Sequence, residues 1–260
     1  MRPLAIIGAM ILSLAAWQAG AQEACKLTTL GTAQVASVRD GRTLLLADGR
    51  ELRLLGFEVT DESRAALQRL LHDRPLRLEG LSAEPDRYGR LVAFAFAGDD
   101  RESVQQILLE QGQARVSARV GNKPCADALL TAERAARAAH RGLWADPNFA
   151  PLPPDNYARL RAERGLFTII EGKVLSVRES GSTIYVNFGR WWTRDFSVII
   201  LRRNQRIFNA AGLEPKQLEG HRIGVRGWLE QRRGPVIEAD APEQIEFADE
   251  TMRNAQETRQ

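Results

Sequence analysis

The segment Arg190-Trp191-Trp192-Thr193-Arg194 combines residue types that suit one kind of ligand. Indole rings stack on bases and guanidinium groups contact phosphates, so two tryptophans between arginines match a single-stranded nucleic acid. The alternative is that Trp191 and Trp192 pack the interface with the domain that precedes them in the chain. Five further arginines in this half of the chain either add to a basic surface or form an ordinary solvated face: Arg202, Arg203, Arg206, Arg232 and Arg233.

Residues 1–21 have the form of a secretory signal peptide. Arg2 precedes an apolar run from Leu4 to Trp17, and the segment ends in Ala19-Gly20-Ala21. The apolar run is too short for a transmembrane anchor. The alternative is an N-terminal anchor that is not cleaved. We therefore predict export to the periplasm or medium, with no stable membrane insertion after cleavage.

Cys25 and Cys125 are the only two cysteines of the chain. In an oxidising compartment a lone pair is most simply a disulfide, and two free buried thiols are the alternative. His72, His140 and His221 show no metal-ligand spacing, and so few partners argue against a metal site.

The segment 33–62 predicts a β-meander followed by a helix. Asp40-Gly41 and Asp48-Gly49 separate short alternating runs, and Asp-Gly pairs tolerate the positive φ angles of tight hairpin turns. Three antiparallel strands are expected at about 34–38, 42–47 and 50–57. Thr60 is a candidate N-cap for a helix that carries an apolar stripe.

This part of the chain resembles the staphylococcal-nuclease-like (thermonuclease) family. The resemblance rests on Asp40-Gly41-Arg42-Thr43, on the segment Arg53-Leu54-Leu55-Gly56-Phe57-Glu58-Val59-Thr60-Asp61 and on Asp86-Arg87-Tyr88-Gly89-Arg90. It covers residues 33–146 in order and spacing. It implies a mainly β fold, an oligonucleotide/oligosaccharide-binding (OB) β-barrel of five strands with three helices.

The resemblance also implies roles for individual residues. Arg53 and Arg90 correspond to the family's phosphate-contacting arginines, and Asp61 to its water-activating glutamate. Glu58 and the Val59 carbonyl correspond to calcium ligands, while Arg42 stands where the family has a ligand aspartate. Asp40 is a further candidate metal carboxylate, and Tyr88 a further candidate for contact with nucleic acid.

Arg42 sets the predicted chemistry apart from the family's. Calcium needs six to eight oxygens, and a positive charge about 4 Å from a divalent ion costs roughly 8 kcal/mol at an effective dielectric of 20. We therefore expect a degenerate calcium site with Arg42 paired to Glu58 in a bidentate contact, and no certain cofactor. As alternatives, Arg53 and Arg90 pair with Asp40, Glu58 or Asp61 in a purely structural network, and Tyr88 shapes a turn.

We expect five segments: a signal peptide (1–21), the nuclease-like OB domain (26–146), a Pro-rich linker (147–156), a smaller OB-like β domain (157–248) and a disordered tail (249–260). The second segment is what the resemblance implies, and a change in composition at Asp146 marks its end. In the fourth segment, predicted strands at 167–178, 183–188, 195–201, 222–230 and 236–240 enclose a helix at 203–211. Three strands, a helix and two strands are the order of an OB-type barrel.

The chain has 36 basic and 33 acidic side chains, a balance that permits contacts with polyanions without requiring them. Three functions fit these observations: an exported nuclease that cleaves phosphodiesters slowly, a non-catalytic nucleic-acid binder, and an envelope module that binds another protein. A nucleic acid is thus the candidate partner, and no protein partner is indicated.

Overall fold

The computed structural model describes residues 25–248, except the side chains of Asp61 and Glu62. The predicted signal peptide and tail lie outside this range. The strands are β1 (Thr28–Ala33), β2 (Val35–Val38), β3 (Thr43–Leu46), β4 (Glu51–Leu54), β5 (Phe57–Val59), β6 (Leu76–Gly80), β7 (Leu91–Ala97), β8 (Ala114–Val116), β9 (Phe167–Lys173), β10 (Ser176–Ser180), β11 (Thr183–Asn187), β12 (Ser197–Leu201), β13 (Arg222–Trp228), β14 (Glu230–Gln231), β15 (Pro235–Glu238) and β16 (Ile245–Phe247). The α-helices are α1 (Asp61–Leu71), α2 (Val104–Glu110), α3 (Lys123–Ala138), α4 (Tyr157–Ala162) and α5 (Gln205–Ala210).

The first OB-like unit is built on β1 to β8 with α1 to α3. Its main sheet has the order β1-β6-β7-β4-β3-β2, and its two end strands are separated in the chain by Gln34 alone. The sheet must therefore curl round, as an OB fold requires. The parallel pair β4–β7 and the antiparallel β6–β7 hairpin complete that topology. The predicted fold of this part is confirmed.

The predicted third strand, 50–57, is interrupted. β4 ends at Leu54, Gly56 takes a φ of +91°, and β5 leaves the main sheet to pair with β8. A Cβ on Gly56 would lie 2.5 Å from Leu129 Cδ1 of α3. The break is therefore set by packing against a helix far along the chain, and it places Glu58 opposite Arg115.

The two Asp-Gly turns use glycine for different reasons. Gly49 has the predicted positive φ, +85°, whereas Gly41 does not, so that part of the prediction is wrong. A Cβ on Gly41 would lie 2.8 Å from Ser63 Cβ and 2.9 Å from Val59 Cβ. Gly41 is therefore needed because β5 and the start of α1 pack directly against this turn.

The second OB-like unit repeats the strand order of the first with β9 to β16 and α5. Its sheets run β10-β11-β12-β15-β14 and β16-β13-β9, with a parallel β12–β15 pair. The strand predicted at 167–178 bends at Val174 and Leu175, and its halves β9 and β10 belong to different sheets. This bend matches the β1–β2 break of the first unit. The predicted OB-like fold is confirmed, and β16 is an addition that the sequence did not indicate.

The Pro-rich segment is packed rather than free. Leu152 is buried in the core of the second unit, and its backbone exchanges hydrogen bonds with Ile169 and Glu171. Pro154 covers Gly172, where a Cβ would lie 2.5 Å from its ring. The segment thus packs as part of the second unit.

A buried ion network joins the two units. Arg226 of β13 donates two hydrogen bonds to Glu133 of α3, at 2.9 and 3.0 Å, and both side chains are almost fully buried. Arg226 also pairs with Glu246, and Glu243 accepts the backbone N–H groups of Val120 and Gly121. These contacts fix the second unit against α3 and the loop that follows β8.

Cys25 and Cys125 form the predicted disulfide. It ties the residues before β1 to the first turn of α3 and closes a loop with a sequence separation of 100. In the chain-entropy model a loop of about this length contributes about 4.7 kcal/mol. Within residues 25–248, none of the helices is long and apolar enough to cross a membrane.

Candidate functional site

Arg42 and Glu58 form an ion pair at the place where the resemblance puts calcium. Arg42 lies in the turn before β3 and Glu58 in β5, and Arg42 Nη1 is 2.7 Å from Glu58 Oε2. Both side chains are largely shielded, with 24% and 15% exposure. The contact uses one nitrogen, so the predicted pairing is found but its bidentate form is not.

Asp40, the other candidate metal carboxylate, is committed to the backbone. Its Oδ1 accepts the N–H groups of Arg42 and Thr43, both at 2.8 Å, and this shapes the turn between β2 and β3. The part of the chain that the structure describes contains no group of three or more His, Cys, Asp or Glu side chains that would hold a metal ion. Among the described side chains at this position, Glu58 is paired with Arg42 and Asp40 with the backbone, so neither offers calcium a free carboxylate of the kind that it requires.

Asp61 is the first residue of α1. Because its side chain lies outside the described part of the structure, its catalytic role stays a prediction from the resemblance.

Arg53 projects from β4 beside this ion pair. Burial and the positive charges of Arg42 and Arg90 lower the pKa of its guanidinium, while Glu58 and Asp40 partly compensate. Among residues 25–248, no hydrogen bond or ion pair engages the Arg53 side chain, although it is half-buried. Three guanidinium groups therefore lie near one another, and the central one has unused donors.

Arg90 is held by its own turn. Its Nε and Nη2 donate to Asp86 Oδ2 at 2.8 and 2.6 Å, and Asp86 Oδ1 accepts the N–H groups of Tyr88 and Arg90. The hydrogen bond from the Arg90 side chain lowers the pKa of Asp86 to about 2. The structural alternative paired Arg90 with Asp40 or Glu58. That part of it is wrong, because the partner of Arg90 is Asp86.

Tyr88 is 66% exposed, and two cations lie close to its ring. The guanidinium carbons of Arg87 and Arg90 are 4.8 and 4.9 Å from the ring centroid. Its backbone helps to form the turn, and its exposed ring remains accessible to a ligand beside Arg90.

Arg115 is a residue of the site region that sequence reasoning missed. It lies opposite Glu58 in the β5–β8 pair, and its Nη1 donates to the Phe167 carbonyl of the second unit at 3.0 Å. Burial lowers its pKa, and its buried Nε has no hydrogen-bond partner. No local signal marks it, because its position depends on the pairing of two three-residue strands.

Trp191 and Trp192 lie in the loop between β11 and β12. They are 63% and 59% exposed, so the alternative in which they pack the interface between the units is wrong. Asp195 holds the loop by accepting hydrogen bonds from the Trp191 N–H, the Tyr157 hydroxyl and Arg194 Nε, at 2.9 to 3.0 Å. Both rings are therefore exposed on a loop that hydrogen bonds hold in place, and this loop is far from Arg53 along the chain.

Comparison with known proteins identifies part of the chain. Residues 58–146 match the family model described as staphylococcal nuclease homologue. The match includes Glu58, Asp61 and Arg90 and begins after Arg42 and Arg53. No curated protein gives a significant match. The family match and the OB-like topology together show that the first unit of this chain is a staphylococcal-nuclease-like domain.

Proposed function

We propose that this protein is an exported phosphodiester-binding protein whose nuclease-like site works without calcium and cleaves nucleic acids negligibly. The observation that carries the proposal is the half-buried Arg53 guanidinium. It has no ion-pair partner among the described residues. Burial and the neighbouring charges of Arg42 and Arg90 lower its pKa. An anion placed there relieves the repulsion and takes up the unused donors.

The proposed site keeps the anion-binding residues and lacks the means of cleavage. Phosphodiester hydrolysis by this class of enzyme depends on a Lewis acid and a positioned water. Here Arg42 neutralises Glu58 at 2.7 Å, so the chain offers a cation where a metal would stand. Slow residual hydrolysis is the most that Asp61 would support in such a site.

Binding is tested with a minimal ligand, the dinucleotide d(TpT), by calorimetry at low salt. Arg53→Gln should weaken binding about tenfold or more, because a hydrogen bond to a charged group contributes about 1.5–3 kcal/mol. Arg69→Gln, at an exposed position of α1, is the matched control and should change nothing. If the unmodified protein does not bind even at low salt, the protein-interaction alternative replaces this proposal.

Cleavage is tested with labelled DNA and RNA in calcium and in chelator. We expect rates close to the protein-free blank and equal in the two conditions. Arg42→Asp should create measurable calcium affinity, and Arg42→Asp with Asp61→Glu should bring back some cleavage. Robust calcium-dependent cleavage by the unmodified protein, lost in Arg53→Ala, would refute the proposal.

Export is supported by the pattern of residues 1–21 and by the Cys25–Cys125 disulfide, since disulfides persist in oxidising compartments. Fractionation of producing cells and intact mass should show a chain shortened near Ala21 in the periplasm or medium. A full-length, reduced chain in the cytoplasm would contradict export.

A further inference from the structure

The second OB-like unit carries an open groove of about 980 Å³. Its floor is one face of the β10-β11-β12 sheet. Arg178, Tyr185 and Ile199 are directly opposite one another on the three strands, so their side chains share this face. The Arg178–Tyr185–Ile199 row thus places a cation, an aromatic ring and an apolar surface side by side.

Two loops form the rim of the groove and contact each other. The loop with Trp192 follows β11, and the turn with Arg233 and Gly234 joins β14 to β15. A Cβ on Gly234 would lie 2.7 Å from the Trp192 carbonyl oxygen, so the two loops approach closely. The Arg233 guanidinium carbon lies 4.9 Å from the Trp192 ring centroid. The rim therefore presents a preformed pair of a cation and an indole.

The lining is positively charged. It contains four arginines and one glutamate. The glutamate, Glu219, already pairs with Lys216 Nζ at 2.9 Å and accepts a hydrogen bond from the Val177 N–H at 3.0 Å. Arg232 is paired with Glu230 and Glu238. Within residues 25–248, the other three arginines of the lining make no ion pair with an acidic side chain: Arg178, Arg190 and Arg233.

We propose that this groove is a binding site for single-stranded nucleic acid, separate from the Arg53 site. Free cations contact backbone phosphates, while Trp192 and Tyr185 supply ring faces on which unpaired bases stack. A duplex lacks exposed base faces and would gain little from these rings. The groove also lies on the second and third strands of an OB fold and beside the loop before its last strand, two features that such folds use for oligonucleotides.

The test is fluorescence anisotropy of the full mature chain with a labelled oligo-dT of about twelve nucleotides, within the range that one OB fold covers. Trp192→Ala should weaken binding roughly five- to hundredfold, the effect of one lost base stack. Trp228→Ala is the matched control, because Trp228 is similarly exposed, at 52%, but lies outside the groove. It should leave the affinity unchanged.

The arginines are tested through the salt dependence of binding. Arg178→Ala should reduce the slope of log affinity against log salt by about 0.7, the value for one phosphate contact on a single strand. Arg206→Ala, at an exposed position of α5 outside the groove, is the control and should keep the slope. Circular dichroism verifies that each variant is folded, and Arg178→Glu gives a second variant with a larger expected loss.

The two sites fail in distinguishable ways. Arg53→Gln should weaken d(TpT) binding and spare most of the affinity for oligo-dT. Loss of oligo-dT binding in Arg53→Gln, with Trp192→Ala and Arg178→Glu unchanged, would overturn the groove proposal and leave the first site standing. Equal affinity for a sulfated polysaccharide, insensitive to Trp192→Ala, would also overturn it and assign the groove to general polyanion binding.

Discussion

In the first OB-like unit the arginines of interest are partly enclosed by neighbouring elements, whereas in the second they line an open groove. Arg42 is paired with Glu58, Arg90 is paired with Asp86, and Arg53 lies half-buried beside them. In the second unit, Arg178 is exposed and Arg233 lies against the exposed ring of Trp192. The same strand order thus supports one compact site with a single unpaired arginine and one extended basic surface.

The difference follows from what packs against each barrel. In the first unit β5 leaves the main sheet after Gly56, and β5 with the start of α1 closes over the turn at Gly41. In the second unit α5 follows β12 through a short 3-10 helix, and the groove face stays open over β10 and β11, where Arg178 is exposed and Tyr185 is half-buried. An enclosed site suits one phosphate, while an uncovered face suits a longer strand.

The largest expected effect concerns the buried ion network that couples the two units. Glu133→Ala removes two of the buried hydrogen bonds of Arg226 and leaves Glu246 as its remaining carboxylate partner. Because breaking a buried ion pair from one side is strongly destabilising, the free energy of unfolding should fall by about 3–5 kcal/mol. Urea unfolding monitored by both circular dichroism and tryptophan fluorescence should then show two separated transitions. Arg119→Ala, which removes an exposed pair with Asp240, is the control and should have a much smaller effect. A single unchanged transition in Glu133→Ala would show that this network does not hold the units together.

The second prediction concerns the Cys25–Cys125 disulfide, which lies within the first unit. The double variant Cys25→Ser with Cys125→Ser should lose about 2–5 kcal/mol of stability. Because the bond tethers the segment before β1 to α3, the loss should fall on the first unit and leave oligo-dT binding by the folded protein intact. Thermal unfolding with and without reductant measures the effect. A reductant that lowers the stability of the double variant as well would reveal a cause other than this bond.

The third and smallest effect concerns the stability of the coupling between the units at acidic pH. Burial alone would raise the pKa of Glu246, but the charges of Arg226, Arg137 and Arg134 outweigh it and lower this pKa to about 2. Since the unfolded carboxyl titrates near 4.5, its stabilising contribution is present above about pH 4.5 and is lost as the pH falls toward 2. The coupling between the units should therefore weaken over this range.

Glu246→Gln should flatten the pH dependence of unfolding between about pH 5 and 2. Asp86→Asn is the comparison variant, because Asp86 also titrates near pH 2 but serves only the Arg90 turn. It should leave the coupling of the units unaffected. Equal slopes in the unmodified protein and in Glu246→Gln would contradict the assignment of acid sensitivity to the interface.

The sequence by itself indicated the succession of strands and helices along both units, the Cys25–Cys125 pair and the arginines of the first candidate site other than Arg115. Those features depend on local periodicity, on turn residues such as Gly49 and on the motif around Arg53 and Arg90, all of which are written in short segments. The pairing of Arg42 with Glu58 also followed, because an arginine at a vacated cation position needs a nearby carboxylate.

Only the tertiary structure decided how these pieces meet. It showed that Gly41 is needed for space rather than for a positive φ, that Arg90 is held by Asp86, and that Trp191 and Trp192 are exposed. It also brought Arg226 onto Glu133, 93 residues away in the chain. No local pattern relates Arg226 to Glu133, since packing between distant elements sets which charges are buried together and which rings remain in solvent.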